Sequence, residues 1–207
     1  MPEQLWLPGL EAPPTLTDGL FFAVFPDATT AAGISKLAQK LCGETRSRSK
    51  PLAAGRLHVT LHHLGNFAGG LPQERVDAAM QAAASIGMEP FSVEFDTAVS
   101  FASKPRPGPL VLGGGEGVAG LHVLHDALGR ALQSAGFGDR AVSSAAHYTP
   151  HVTLAYGVPW GAARPVEPVC WNVREFALMH SLLGRTRHVA LARWTLAGAE
   201  SSRALSG

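Results

Sequence analysis

The chain predicts an α+β fold made by internal duplication, and three observations carry that reading. The tetrapeptide HVTL occurs twice, at residues 58–61 and 151–154. Each copy ends a unit of the same order: an apolar strand, a helix, then the motif. The two units are of similar length, 37 residues from Phe21 to His58 and 41 from Leu110 to His151, although the residues between share little.

Taken in order, residues 1–18 hold Pro8, Pro13 and Pro14 with little periodicity and read as an irregular N-terminal arm. GLFFAVFP (19–26) is a short apolar run ended by proline, the pattern of a buried strand. Asp27 can cap a helix on which Ile34, Leu37 and Leu41 recur before Gly43 stops it. GETRSRSKP then supplies a basic loop and LHVTLHHLG a second strand. Pro72 opens a helix through Val76, Met80 and Ala83, closed by Gly87, and FSVEFDTAV alternates as a strand with one wet face. The second unit repeats the order with PLVLG (109–113), a helix marked by Leu121, Leu124, Leu128 and Leu132, and YTPHVTLAYG. VREFALMHSLL and HVALARWTLAG read as two closing strands. No linker divides the chain, so residues 19–207 are expected to form a single domain.

Composition narrows the function classes. With 207 residues, 46% of them hydrophobic, the chain can bury a proper core. Seventeen basic and sixteen acidic residues give a formal charge of +1, which argues against a protein that grips long duplexes through many phosphates. A short or terminal nucleic-acid target remains open. Cys42 and Cys170 are too few for a disulfide framework or a four-ligand zinc site. The first residues carry Glu3, lack a basic n-region and contain no long apolar run, so neither a secretory signal nor a membrane span is expected. A soluble, cytoplasmic monomer is the expectation.

The repeated motif has a spacing with chemical meaning. On a strand, His58 and Thr60 project together while Val59 and Leu61 enter the core, and His151 and Thr153 stand in the same relation to Val152 and Leu154. If the two units pair about an approximate two-fold axis, two imidazoles and two hydroxyls face one cleft. That set suits phosphoester cleavage or transfer without a metal. One neutral imidazole takes a proton from the nucleophile and one imidazolium gives a proton to the leaving oxygen, with an ordinary pKa near 6.5 making both forms available. The hydroxyls would bind non-bridging phosphoryl oxygens.

These residues resemble a known family. His58-Val59-Thr60-Leu61 and His151-Val152-Thr153-Leu154 look like the paired H-x-[ST]-x motifs of the 2H phosphoesterase superfamily, in its bacterial and archaeal branch of RNA 2′,3′-cyclic phosphodiesterases, also called 2′-5′ RNA ligases. LFFAVFP, LGNF, Pro150 and FALMHSLLGRTRHVALARWTL extend the likeness over about residues 19 to 197. The resemblance implies a two-lobed, pseudo-symmetric α+β fold, with antiparallel sheets and outer helices around a central cleft, and no metal or other cofactor. It implies hydrolysis of 2′,3′-cyclic phosphate ends of RNA, or of cyclic nucleotides, to 2′-phosphates, with ATP-independent 2′-5′ joining of RNA ends as the reverse-type reaction. By position it makes His58 the proton donor to the leaving 3′ oxygen, His151 the proton acceptor from water, and Thr60 and Thr153 the phosphate-binding hydroxyls. Many relatives carry a basic residue where this chain has Tyr156, so a phosphate or sugar contact there is lost or replaced by base stacking. His63 stands where an aromatic is common and reads as packing.

Other patterns have competing readings. His58, His62 and His63 on one strand, or His122 and His125 on a helix, have spacings a metal can use, but no carboxylate accompanies the first set and a half-buried helix face accounts for the second. Gly115 to Gly120 spell G-x-G-x-x-G between a strand and a helix; as a dinucleotide site this needs a further strand ending near Asp139, which the sequence does not supply, and a flexible turn is the simpler account. Arg46, Arg48, Lys50, Lys104, Arg106, Arg185 and Arg187 fall on loops, where a subset could line a cleft rim. Trp160, Trp171 and Trp194 could stack a base or pack the core. A non-catalytic module binding RNA ends or a nucleotide through the same cleft is the main alternative to an enzyme, and a dinucleotide-binding protein the lesser one.

Overall fold

A computed structural model describes residues 14–45, 49–101, 108–138 and 148–197. Most of the N-terminal arm, Arg46, Arg48, Lys104, Arg106 and Asp139 lie outside the described residues. The elements run β1 (Asp18–Val24), α1 (Ala28–Glu44), β2 (Val59–Phe67), α2 (Gln73–Ala84), β3 (Phe91–Ser100), β4 (Leu110–Gly113), α3 (Ala119–Ser134), β5 (His151–Ala155), β6 (Arg164–Val173), β7 (Glu175–Leu182) and β8 (Arg187–Thr195). The strands form one antiparallel sheet in the order β6-β3-β4-β5-β2-β1-β7-β8.

The duplication is visible in that order. Moving outward from the centre, β2-β1-β7-β8 makes one half and β5-β4-β3-β6 the other, so β1-α1-β2 corresponds to β4-α3-β5. The halves meet where β2 pairs with β5, with Val59 opposite Val152. The helices tie the halves together. Helix α1, which follows β1 in one half, packs against β5 and β6 of the other; α3, which follows β4, packs against β2 and β3. A single apolar core results, running from Leu20 and Phe22 through Ile34 and Leu57 to Leu121, Leu128 and Val152. Burying each such side chain contributes roughly 1.5–3 kcal/mol before entropy is counted. Strand β1 is covered on both faces: Leu20, Phe22 and Val24 enter that core, while Phe21 and Ala23 join Ala177 and Met179 in a smaller cluster on the opposite side.

Local chemistry explains most boundaries. The Asp27 carboxylate accepts from the Thr30 N–H at 2.9 Å, capping α1 as its position suggested. Gly43 does not stop that helix; it continues to Glu44, and Thr45 ends it by returning its N–H and hydroxyl to the Cys42 carbonyl. Helix α2 likewise ends at Ala84, ahead of Gly87. Strand β6 was not foreseen. Pro165 and Pro168 interrupt its apolar pattern, and both are tolerated because β6 is an edge strand paired on one side with β3.

The G-x-G-x-x-G stretch is neither a dinucleotide loop nor a loose turn. Glu116–Val118 form a 3₁₀ turn that leads into α3 and lies against β3. A Cβ on Gly117 would stand 2.7 Å from Glu94 Cβ, and one on Gly120 would stand 2.2 Å from the Phe91 ring. These glycines permit close packing on an antiparallel sheet. The tryptophans also pack: Trp171 stacks on Phe95 with centroids 5.1 Å apart, Trp194 on Phe176 at 5.4 Å, and Trp160 lies under the Arg164 guanidinium at 4.2 Å.

Candidate active site

The pairing of Val59 with Val152 builds the site. Both valines are fully buried on the helix side of the sheet. Their neighbours therefore project to the other side, and the antiparallel rule sets His58 across from Thr153 and Thr60 across from His151. Each histidine faces the hydroxyl of the opposite copy, and the two imidazoles occupy diagonal corners roughly 7–8 Å apart at the backbone. His58, Thr60, His151 and Thr153 all line one cleft of about 370 Å³. Residues separated by 93 positions in the chain are brought together there.

Both imidazoles are held in the same way. His58 Nδ1 lies 2.7 Å from the Arg56 carbonyl, and His151 Nδ1 lies 2.7 Å from the Thr149 carbonyl. A carbonyl only accepts, so Nδ1 carries the proton in each ring and Nε2 of the neutral form keeps a lone pair. In both copies the holding carbonyl belongs to the residue two positions before the histidine. Tyr148 adds a brace: its hydroxyl donates to the Thr60 carbonyl at 3.2 Å, pinning β2 to the segment that enters β5. Burial pushes that phenol's pKa up, so it stays a donor.

The walls are aromatic. His58 meets Phe21 at 5.3 Å, Phe25 at 5.9 Å and His188 at 5.4 Å, and His151 meets the edge of Phe101 at 4.8 Å. Loss of water pulls the His58 pKa down to about 4, opposed by its carbonyl bond and reinforced by His188, His151 and Arg56. Burial lowers His151 too, against the bond to Thr149. The expectation that both rings titrate near neutrality rested on ordinary imidazole behaviour. In the free protein loss of water favours the neutral form of both rings.

Tyr156 lines the same cleft at its rim, 61% exposed. His63 is not packed away: it lines the cleft and its Nε2 is 3.0 Å from Asn66 Oδ1. His62 goes the other way. Alternation put it on the face of His58, but β2 carries an extra residue at Leu61, since Phe22 pairs with His62 and Ala23 with Thr60. That bulge turns His62 into the core, 1% exposed, where Nε2 donates to the His125 carbonyl at 2.8 Å. The three adjacent histidines of the motif strand therefore do not converge. His125 is buried rather than half-exposed, stacked on His62 at 4.1 Å and on Tyr148 at 3.9 Å. Among the described residues no three His, Cys, Asp or Glu side chains are grouped to hold a metal ion.

Two cleft residues were missed. Arg56 lines the cleft, whereas none of the described cations expected on loops does: Lys50, Arg185, or Arg187, which instead begins β8. Arg56 closes a 3₁₀ turn two residues before His58, so strand alternation does not place it. His188 reaches the cleft from β8, and no local pattern marks it.

Comparison with known proteins agrees with this arrangement. A search of curated proteins finds no match. Among solved structures, E. coli LigT in apo form is 25% identical, with a TM-score of 0.65 over 88% of this chain and 99% of that one. The ATP complex of E. coli LigT is 26% identical, with a TM-score of 0.63 over 87% and 99%. TT0787 of Thermus thermophilus, at 23% identity and a TM-score of 0.70 over 87% and 99%, shares the fold. No helix among the described residues is long and apolar enough to cross a membrane. The family described as the 2′-5′ RNA ligase superfamily matches residues 25–185, which include both motifs and the strands that pair them, and the chain belongs to that superfamily, within the 2H phosphoesterases.

Proposed function

We propose that this cleft hydrolyses 2′,3′-cyclic phosphate ends of RNA, or cyclic nucleotides, to 2′-phosphates. The observation that carries the reading is the Val59–Val152 pairing, beside which His58, Thr60, His151 and Thr153 line one cleft. His151 Nε2 takes a proton from water as the water oxygen bonds to phosphorus. His58, protonated once the anionic substrate is bound, gives its Nε2 proton to the 3′ oxygen as the P–O3′ bond breaks. The products are a 2′-phosphomonoester and a free 3′ hydroxyl. Thr60 and Thr153 donate to the non-bridging oxygens as negative charge grows on them. Tyr156 stacks on the terminal base at the rim. Both proton transfers are assigned to imidazoles, and the reading invokes no metal or other cofactor. With an RNA 5′ hydroxyl in place of water, the same geometry joins ends without ATP: His151 takes the 5′ proton as the 5′ oxygen bonds to phosphorus, and the P–O3′ bond breaks with a proton from His58, leaving a 2′-5′ bond.

Solved complexes of E. coli LigT with ATP, 3′-AMP and phosphate support a nucleotide or phosphate as the occupant. The test is opening of 2′,3′-cyclic CMP by the purified protein in the presence of EDTA, with the product identified as the 2′ or 3′ monoester. His58→Ala and His151→Ala are each expected to lower turnover by roughly 10²- to 10⁴-fold. Retained activity in either variant removes that histidine from the mechanism. One observation favours a second reading, a module that binds RNA ends without turnover: Arg56 and four histidines line the cleft with no carboxylate among the described residues there. Salt-sensitive binding with no product between about pH 5 and 9 would establish it instead.

A further inference from the structure

The Nε of Arg56 is buried and has no hydrogen-bond partner, although the residue lines the cleft. An unpaired buried guanidinium nitrogen is costly and calls for an explanation, and with Nε closed off the terminal nitrogens are the part of the group that a cleft ligand can meet. The cleft offers no internal partner: Arg56 and four histidines line it, and among the described residues no aspartate or glutamate does. A permanent cation without a counter-ion, half-enclosed in a small polar cavity, is a built site for an anion.

Its position says which anion. Arg56 ends a 3₁₀ turn two residues before His58, and both side chains line the cleft. His188 stands edge-on to the His58 ring at 5.4 Å. The Arg56 charge reaches both rings: burial is the first cause of their lowered pKa values, and Arg56 adds to it in each.

We propose that Arg56 is the fixed cation of the site, binding the non-bridging oxygens of the substrate phosphate on the His58 side of the cleft. This rests on the cyclic phosphodiesterase reading and adds to it a residue, and a selectivity, that the two motifs do not contain. A phosphate bound to Arg56 brings negative charge beside the His58 ring, opposing the burial that favours its neutral form and cancelling the smaller push from Arg56, so arrival of the substrate itself loads the proton donor. The charge also holds the dianionic 2′-phosphate product more firmly than the monoanionic cyclic substrate, which makes product release slow and free phosphate an inhibitor.

The test uses the full chain, with inorganic phosphate as the probe followed by calorimetry, and the histidine titrations followed by NMR. Arg56→Gln is expected to weaken phosphate binding roughly 10- to 100-fold. It should also raise the titration midpoints of His58 and His188 in phosphate-free protein, a change that a merely structural role would not produce. Arg130→Gln on the exposed face of α3 removes the same net charge and should leave phosphate affinity unchanged. If Arg56→Gln does not fold, Arg56→Lys serves: losing the planar fork while keeping the charge should weaken phosphate binding several-fold. A folded Arg56→Gln, or failing that a folded Arg56→Lys, that binds phosphate like the wild type overturns the assignment. The two proposals separate cleanly. Wild-type protein that turns over cyclic CMP while Arg56→Gln matches it in binding and rate leaves the activity standing and removes Arg56. Wild-type protein that binds phosphate through Arg56 but opens no cyclic nucleotide removes the activity and leaves an anion site.

Discussion

Val59 stands directly opposite Val152 where β2 meets β5, and this one pairing sets the relation between the two HVTL copies. Because both valines point into the core, the flanking histidine and threonine of each strand are forced to the other face. The arrangement is diagonal, so each histidine stands across from the threonine carried on the opposite half.

If Thr60 and Thr153 hold one phosphate, removing either hydroxyl should cost rate rather than fold. Thr60→Val and Thr153→Val keep the side-chain shape and are each expected to lower kcat by roughly tenfold to a hundredfold. The Tyr148 bond to the Thr60 carbonyl involves backbone and survives the change. The double variant should lose less than the product of the two single losses, as groups acting on a common ligand do. Independent, multiplicative losses in a kinetic double-mutant cycle would place the hydroxyls on separate ligands.

The depressed imidazoles predict an acid-shifted pH profile. In free protein burial pulls His58, the proposed proton donor, down to about 4, and His151 sits below its ordinary 6.5. The productive form, with His58 charged and His151 neutral, is therefore scarce at pH 7 and grows as pH falls. kcat/KM should rise as pH falls from 8 and turn down only where His151 protonates, below its ordinary 6.5. Bound phosphate raises the His58 pKa, so the basic limb of kcat should lie at higher pH than that of kcat/KM. Coincident basic limbs, measured on cyclic CMP, would contradict substrate-linked protonation.

His62 makes the fold acid-sensitive. Burial holds its pKa at about 4 in the folded protein, against about 6.5 when unfolded. The folded value is the lower one, so the unfolded chain binds the proton first. Stability is unaffected above about pH 7 and is lost as pH falls from 6.5 towards 4. At pH 5 the loss from this ring alone is about 2 kcal/mol. His62→Gln, which retains a donor for the His125 carbonyl, should be somewhat less stable at pH 7.5 but lose less on acidification. Urea midpoints at pH 7.5 and 5 measure the difference, and parallel losses in both proteins would refute it.

Gly120 tests whether the glycine-rich stretch serves packing. A methyl there meets the Phe91 ring at 2.2 Å, so Gly120→Ala must displace the ring or the start of α3. The expected cost is about 1–3 kcal/mol of stability, read as a lower thermal midpoint, with phosphate affinity unchanged. Loss of nucleotide affinity at unchanged stability would instead give these glycines a ligand.

Much of the architecture could be read from periodicity. The apolar run around Phe22, the helical rows of Ile34 and Leu41 and of Leu121 to Leu132, and the alternation of Phe91 to Phe95 each declare an element, because a side chain's direction repeats every 3.6 or 2 residues and burial selects for that repeat. Strand β6 escaped because Pro165 and Pro168 break its pattern, which costs an edge strand little. His62 was placed on the wrong face because the bulge at Leu61 depends on how β2 registers against β1. No pattern within the strand records that register.

The sequence by itself determined which side chains could do acid–base and phosphate chemistry, and that two matching strands carry them with valine and leucine behind. Only the tertiary structure decided that those strands adjoin, that His62 leaves the cleft, and that Arg56 and His188 enter it. It also decided that His58 is neutral in the free protein. The physical reason is range. Side-chain direction along a strand follows from bonds between neighbouring residues, whereas pairing, desolvation and the field at an imidazole come from groups that are near in space and distant in the chain.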